Sequence, residues 1–202
     1  MAILLLLVEW MLSVESTSGV VTLATSVAAV AYAGIPLAML VLLRQAPTES
    51  VSFVLPFGTS IVSLGSVWVF AVLSITWTVD TFAYLVGRTV GRHPFSPRLS
   101  PKKTWEGTVG GIVAGTATFL AWSPVLGWSI LAAIAGGLII AIACVTGDLA
   151  ESALKRSAGL KDAGSLLPGH GGLLDRIDSL VFSTIVVFLL QALNQTIPVL
   201  GR

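Results

Sequence analysis

Charge is what this sequence is short of. Of its 202 residues only 10% are Asp, Glu, Lys or Arg, whereas 55% are hydrophobic and the mean hydropathy is +0.94. Soluble domains carry about 25% charged residues. The remainder leaves too little polar surface to coat a water-soluble globule, so lipid must solvate much of the chain. Cysteine is nearly absent as well. The single Cys144 lies in an apolar run, which excludes a disulfide framework or a cysteine-based metal site and leaves it as a small buried hydrophobe. There is no Walker A or Rossmann fingerprint, no internal repeat, no low-complexity tract and no second domain. The formal net charge of +1 says little about partners; the placement of the charges says more.

What is present is a series of apolar runs. A spanning helix needs about 20 such residues. The N-terminal MAILLLLVEWML lacks the basic flank and cleavage site of a signal peptide and reads as a short helix or membrane-surface segment, with Glu9 arguing against a full span. Val20 to Leu43 qualifies as a span, ended by Arg44, Pro47 and Glu49. Val51 to Arg88 would make a helix ~57 Å long at 1.5 Å per residue, too long for one crossing. A break near Pro56, Gly58 or Gly65 is expected, with Val67 to Arg88 as the span. Helices are further predicted over Gly107 to Trp122, Val125 to Arg156 and Leu173 to Leu193. The fold class is therefore all-α: a polytopic membrane protein of five or six helices, divided into N-terminal membrane helices (1–66) and a catalytic membrane domain (67–202) within one structural unit. Gly107, Gly111 and Gly115 share one helix face at four-residue spacing, which suits close helix packing within the chain or, less simply, a dimer contact.

Nine of the eleven basic residues fall in two segments separated by two helices, and so on one side of the membrane. They are Arg88, Arg92, Arg98, Lys102 and Lys103, then Lys155, Arg156, Lys161 and Arg176; Arg44 and Arg202 go to the other side. The positive-inside rule makes the basic side cytoplasmic. Asp80 precedes Arg88 by eight residues and Asp148 precedes Lys155 by seven, which places both ~10–12 Å inside that end of their helices. Asp175 and Asp178 are expected to open the last helix from the same side, on one face. Acidic groups inside a span cost about 2.5–3.5 kcal/mol each. Taken singly, each has a structural explanation, by pairing or by favouring a helix N-terminus; Glu151 and Lys155 could be only an i,i+4 salt bridge. Several at one depth beneath Lys/Arg-rich loops point instead to phosphate oxygens held by a metal and by basic residues.

The loops agree. LSPKKTWEGTVGG brings Ser100, Lys102, Lys103, Thr104 and Glu106 up to a helix N-terminus, where free N–H groups favour anions. GLKDAGSLLPGHGGLLDR sets His170 among Gly169, Gly171 and Gly172, which permit close backbone approach to a ligand. His93 reads as an ordinary interfacial residue.

The stretch SALKRSAGLKDAGSLLPGHGGLLDRID, Ser152 to Asp178, resembles the signature of the phosphatidate cytidylyltransferases, through Ser152, Lys155, Arg156, Lys161, Asp162, His170, Gly171, Gly172, Asp175, Arg176 and Asp178. DTFAYLVGRTVGRHPFSPRLSPKKTWEG resembles that family's other recurring segment, so the likeness covers about Val67 to Leu193, with an N-terminal part short for the family. The resemblance implies a nucleotidyltransferase of phospholipid biosynthesis: CTP and phosphatidic acid give CDP-diacylglycerol and pyrophosphate, with Mg²⁺, a second cation being left open. It maps the metal centre to Asp148 and Asp175, with Asp178 or Asp80 in support. Lys155, Arg156, Lys161, Asp162, His170 and Arg176 become catalytic candidates; Ser100, Lys102, Lys103, Thr104, Glu106, Ser152, Gly171 and Gly172 become substrate-binding candidates. The implied partners are CTP, phosphatidic acid and the lipid bilayer, with a homodimer left open and no nucleic acid. The implied location is the cytoplasmic membrane, with the site on its cytoplasmic side.

Three rival readings fit the sequence less well. A transporter would want broken helices and repeated halves. A CDP-alcohol phosphotransferase would carry a DG…AR…G…D…D pattern, which is absent. An inactive homologue would have no need of so complete a motif.

Overall fold

Hydroxyl side chains start three of the helices in the computed structural model, which describes residues 18–45, 49–55, 58–160, 172 and 174–196. Ser63 accepts from the Ser66 N–H at 3.3 Å and begins α2 (Leu64–Val90), since α1 has already run over Ser18–Gln45. Thr104 accepts from the Gly107 N–H at 3.2 Å and begins α3 (Trp105–Leu126). Ser129 accepts from the Ala132 N–H at 3.4 Å and begins α4 (Ile130–Ser157). Each cap satisfies an amide that the helix's first turn leaves unpaired. Gly127 closes α3 at φ +72°, a left-handed conformation that L side chains avoid. The last helix, α5 (Asp178–Thr196), follows a 3-10 turn over Leu174–Arg176.

All five helices are long and apolar enough to cross a membrane, so among the described residues the chain is an all-α polytopic membrane protein. The segment before α2 corrects the expectation of an interrupted apolar helix. It is an antiparallel hairpin of β1 (Ser50–Leu55) and β2 (Gly58–Ser63), with Val51 opposite Val62 and Ser52 opposite Ile61. A second hairpin, β3 (Pro94–Ser96) with β4 (Ser100–Thr104), replaces the expected loop after α2. The other boundaries move by a few residues. α4 and α5 both begin five residues later than expected, and α5, which begins at Asp178, leaves Asp175 in the separate 3-10 turn. The N-terminal segment, Lys161, Asp162, His170 and Gly171 lie outside the described residues.

Glycine sets how closely the helices approach. A Cβ on Gly107 would stand 2.5 Å from the Ala83 carbonyl oxygen, and one on Gly111 2.7 Å from that of Val79. The glycine stripe of α3 is therefore used inside the chain, against α2. A Cβ on Gly147 of α4 would stand 2.6 Å from the Asp178 carbonyl oxygen; this contact brings the start of α5 beside Asp148. The core concentrates at the end of the bundle away from the β3–β4 hairpin. There Trp128 meets the Phe119 ring at 5.2 Å and the Trp68 ring at 6.3 Å, in edge-to-face contacts, with Val67, Val72 and Ile75 buried beside them. Arg44, whose carbonyl oxygen packs on Gly65, lies at this end. Asp80, Asp148, Lys155 and the β3–β4 hairpin lie at the other.

Candidate active site

Each element delivers its polar group to one place. α2 descends from the aromatic end and carries Asp80 past its midpoint; α4 runs the same way and carries Asp148; α5 starts from the opposite direction with Asp178. The β3–β4 hairpin folds Lys102, Lys103 and Thr104 back over the gap between them. The result is a cavity of about 440 Å³ whose wall includes Asp80, Asp148, Asp175 and Asp178 together with Lys102, Lys103 and Thr104.

Ion pairs and hydrogen bonds fix these groups. Lys103 forms a salt bridge with Asp148, both side chains about one quarter exposed (24% and 27%). The Ser179 hydroxyl reaches Asp80 Oδ1 at 3.2 Å and Asp178 Oδ1 at 3.3 Å, and so ties α2 to the start of α5. One turn deeper, Thr76 and Ser183 repeat the link, hydroxyl to hydroxyl at 3.2 Å. Lys155 pairs with the fully buried Glu151 and donates to Asp175 Oδ1 at 2.6 Å. Asp175 Oδ2 accepts from the Gly172 N–H at 2.7 Å. Lys155 thus anchors the chain as it returns to the bundle after α4.

The sequence candidates separate under this geometry. Asp80, Asp148, Asp175, Asp178, Lys102, Lys103 and Thr104 come together on the cavity wall. Glu106 points elsewhere: its Oε2 accepts from the Arg92 and His93 N–H groups at 3.1 and 3.3 Å, and its Oε1 pairs with His93 Nδ1 at 2.5 Å. It braces the hairpin that presents the lysines, and His93 is its partner in doing so. Arg156 bonds the carbonyl oxygens of Leu99 and Leu160, and so clamps the same hairpin to the end of α4. Ser100, Ser152 and Arg176 are not on the cavity wall. Sequence reasoning missed Tyr84, Arg88, Thr108 and Ser179, which do line the cavity. Tyr84 and Arg88 follow Asp80 at i+4 and i+8, a helical spacing that could have found them.

The carboxylates are hard oxygen donors. Among the described residues, no three acidic, His or Cys side chains are gathered into a closed metal cage. A hard divalent cation that takes one or two carboxylates and completes its shell with water and phosphate oxygens fits such a wall. A dedicated all-protein site does not.

Residues 1–193 match the cytidylyltransferase family. The chain belongs to that family. Among similar proteins, phosphatidate cytidylyltransferase 4, chloroplastic, of Arabidopsis thaliana is 51% identical over 106 residues, covering 52% of this chain and 27% of that one. The phosphatidate cytidylyltransferase of Mycobacterium tuberculosis (strain ATCC 25618 / H37Rv) is 40% identical over 130 residues, covering 64% of this chain and 40% of that one. That of Brucella abortus (strain 2308) is 41% identical over 142 residues, covering 68% and 49%. The chain thus spans between about a quarter and a half of the length of these cytidylyltransferases.

Proposed function

We propose that this cytidylyltransferase-family chain transfers the cytidylyl group of CTP to phosphatidic acid, giving CDP-diacylglycerol and pyrophosphate. One observation carries the reading: a cavity at the basic end of an apolar bundle sets aspartates from three helices against lysines from a hairpin. That is the place where a lipid phosphate at the membrane edge and a nucleotide triphosphate from water can meet. The positive-inside rule makes this end cytoplasmic, the side on which CTP is available.

In this reaction an oxygen of the lipid phosphate bonds to the α-phosphorus of CTP. The bond from that phosphorus to the bridging α–β oxygen breaks, and its electron pair leaves with pyrophosphate. The nucleophile is a phosphomonoester with a second pKa near 6, so it arrives already ionised and no protein base need take a proton. The obstacle is the meeting of two polyanions. Lys102, Lys103 and the Thr104 hydroxyl hold phosphate oxygens. Asp148, with Asp80 and Asp178 on the same cavity wall, would hold Mg²⁺, which when bound neutralises phosphate charge and favours the leaving group. Ser179 keeps Asp80 and Asp178 in register. Lys155, through Asp175, fixes the position of Gly172 and the turn that carries Asp175.

The test is pyrophosphate release by purified protein in liposomes. It should require CTP, phosphatidic acid and a divalent cation together, and EDTA should stop it. Release without the lipid would make the chain a nucleotide hydrolase, and none from folded protein would remove the reading.

A further inference from the structure

Arg88 and Tyr84 line the cavity, yet the phosphate-holding set above does not use them. On α2, Phe70, Trp77 and Tyr84 recur every seven residues, two helical turns, and are 60%, 67% and 61% exposed. Arg88 stands one turn beyond Tyr84, and its Nη1 donates to the Tyr84 hydroxyl at 2.9 Å. Tyr84 is therefore both part of the cavity wall and open to the outside of the bundle. The cavity wall thus reaches the exposed stripe of α2 at Tyr84. α1 packs on α2 at the aromatic end, where the Arg44 carbonyl oxygen meets Gly65, well away from Tyr84. The charge pattern points the same way. Of the three cations on the cavity wall, Lys103 is paired with Asp148, whereas among the described residues neither Arg88 nor Lys102 forms an ion pair with a carboxylate, which leaves two separate cations for ligand phosphates.

We propose that Arg88, steadied by Tyr84, is the subsite for the phosphate of the lipid acceptor, and that the acyl chains of that lipid lie along Phe70 and Trp77. This rests on the reading given under Proposed function and divides its cations: Arg88 serves the phosphomonoester that arrives through the membrane, and Lys102 and Lys103 serve the nucleotide that arrives from water. The chemistry suits the division. A guanidinium presents paired donors that match two phosphate oxygens, and the single bond to Tyr84 aims the fork without using it up. An exposed apolar stripe on a spanning helix faces acyl chains, and a phosphate attached to those chains reaches the end of the stripe, where Arg88 is. The plain alternative is that Arg88 and Tyr84 only anchor the helix at the membrane surface.

Two measurements separate these, each with Arg88→Ala, Tyr84→Phe and Arg98→Ala. Arg98 gives the same charge to the same hairpin end but does not line the cavity. In mixed micelles, Arg88→Ala should raise KM for phosphatidic acid on the order of tenfold, the effect of one charged hydrogen-bonding partner, and leave KM for CTP in place. Tyr84→Phe should raise it less, and Arg98→Ala not at all. Retention of phosphatidic acid over phosphatidylcholine by detergent-purified protein, without CTP, should fall in Arg88→Ala and persist in Arg98→Ala. If KM for CTP rises instead, Arg88 belongs to the nucleotide and the proposal is wrong. If Arg88→Ala and Arg98→Ala shift both quantities equally, Arg88 is a surface anchor and the proposal is wrong. Selective lipid retention that depends on Arg88 in a protein without turnover would sustain the subsite and overturn the reaction. Turnover with an Arg88-independent KM would do the reverse.

Discussion

The two ends of this bundle are built from opposite materials. At the aromatic end, Trp68, Phe119 and Trp128 interlock with buried Val67, Val72 and Ile75. At the basic end, partly exposed charges line a cavity, Lys103 paired with Asp148, and small hydroxyls tie the helices together. The same helices make both, so the difference lies in which residues each helix carries along its length. α2 shows it most clearly: Trp68 and Val72 in its first turns, Asp80, Tyr84 and Arg88 in its last. The lesson is a division of labour. Dispersion and close packing hold the frame at one end, and that frame lets the other end gather charged groups around a cavity.

The contrast can be broken by mutation. The largest effect should follow Asp148→Asn: if Asp148 holds the cation as proposed, turnover falls by on the order of a thousandfold, the loss of several kcal/mol of metal-assisted stabilisation. The unfolding temperature in detergent should stay the same, since Asp148 packs no core. A variant that unfolds early would show that the basic end also carries the frame. Phe119→Ala should do the opposite. Removing a fully buried ring costs about 4 kcal/mol, read as earlier thermal unfolding, while turnover per folded molecule is kept. Lys155 is where the contrast should blur. Lys155→Met leaves Glu151, 0% exposed, without its counter-ion and should cost about 3 kcal/mol. Adding Glu151→Gln should restore most of that stability but not activity, because Asp175 and Gly172 remain unanchored. Ser179→Ala should give the smallest change. Losing one hydroxyl between Asp80 and Asp178 costs about 1 kcal/mol, seen as a several-fold fall in kcat at an unchanged unfolding temperature.

The helices were legible in the sequence because lipid demands long apolar runs, and the depth of Asp80 and Asp148 followed from counting residues to the nearest basic flank. The glycine stripe of α3 was legible from its spacing, and its packing inside the chain was the simpler of the two expectations. The β1–β2 hairpin was not seen. Its serines alternate with Val51 and Phe53, but the run is apolar enough overall to pass for helix, and hydropathy averages away a period of two. Contacts between distant segments were also out of reach. Lys103 meets Asp148 only because the hairpin folds back over α4, and Gly147 admits α5 only because both helices arrive together. Glu106 stands beside the lysines in sequence, but its bonds to the Arg92 and His93 amides are a matter of turn geometry that spacing does not reveal.

The central claim is that this cavity joins a nucleotide to a lipid. The direct measurement is the fate of label from CTP carried at the α-phosphate or at the γ-phosphate, in liposomes containing phosphatidic acid and Mg²⁺. The account predicts that α-label moves to the lipid and γ-label leaves as pyrophosphate, both lost in Asp148→Asn. α-Label released as free CMP, or γ-label found on the lipid, would contradict it.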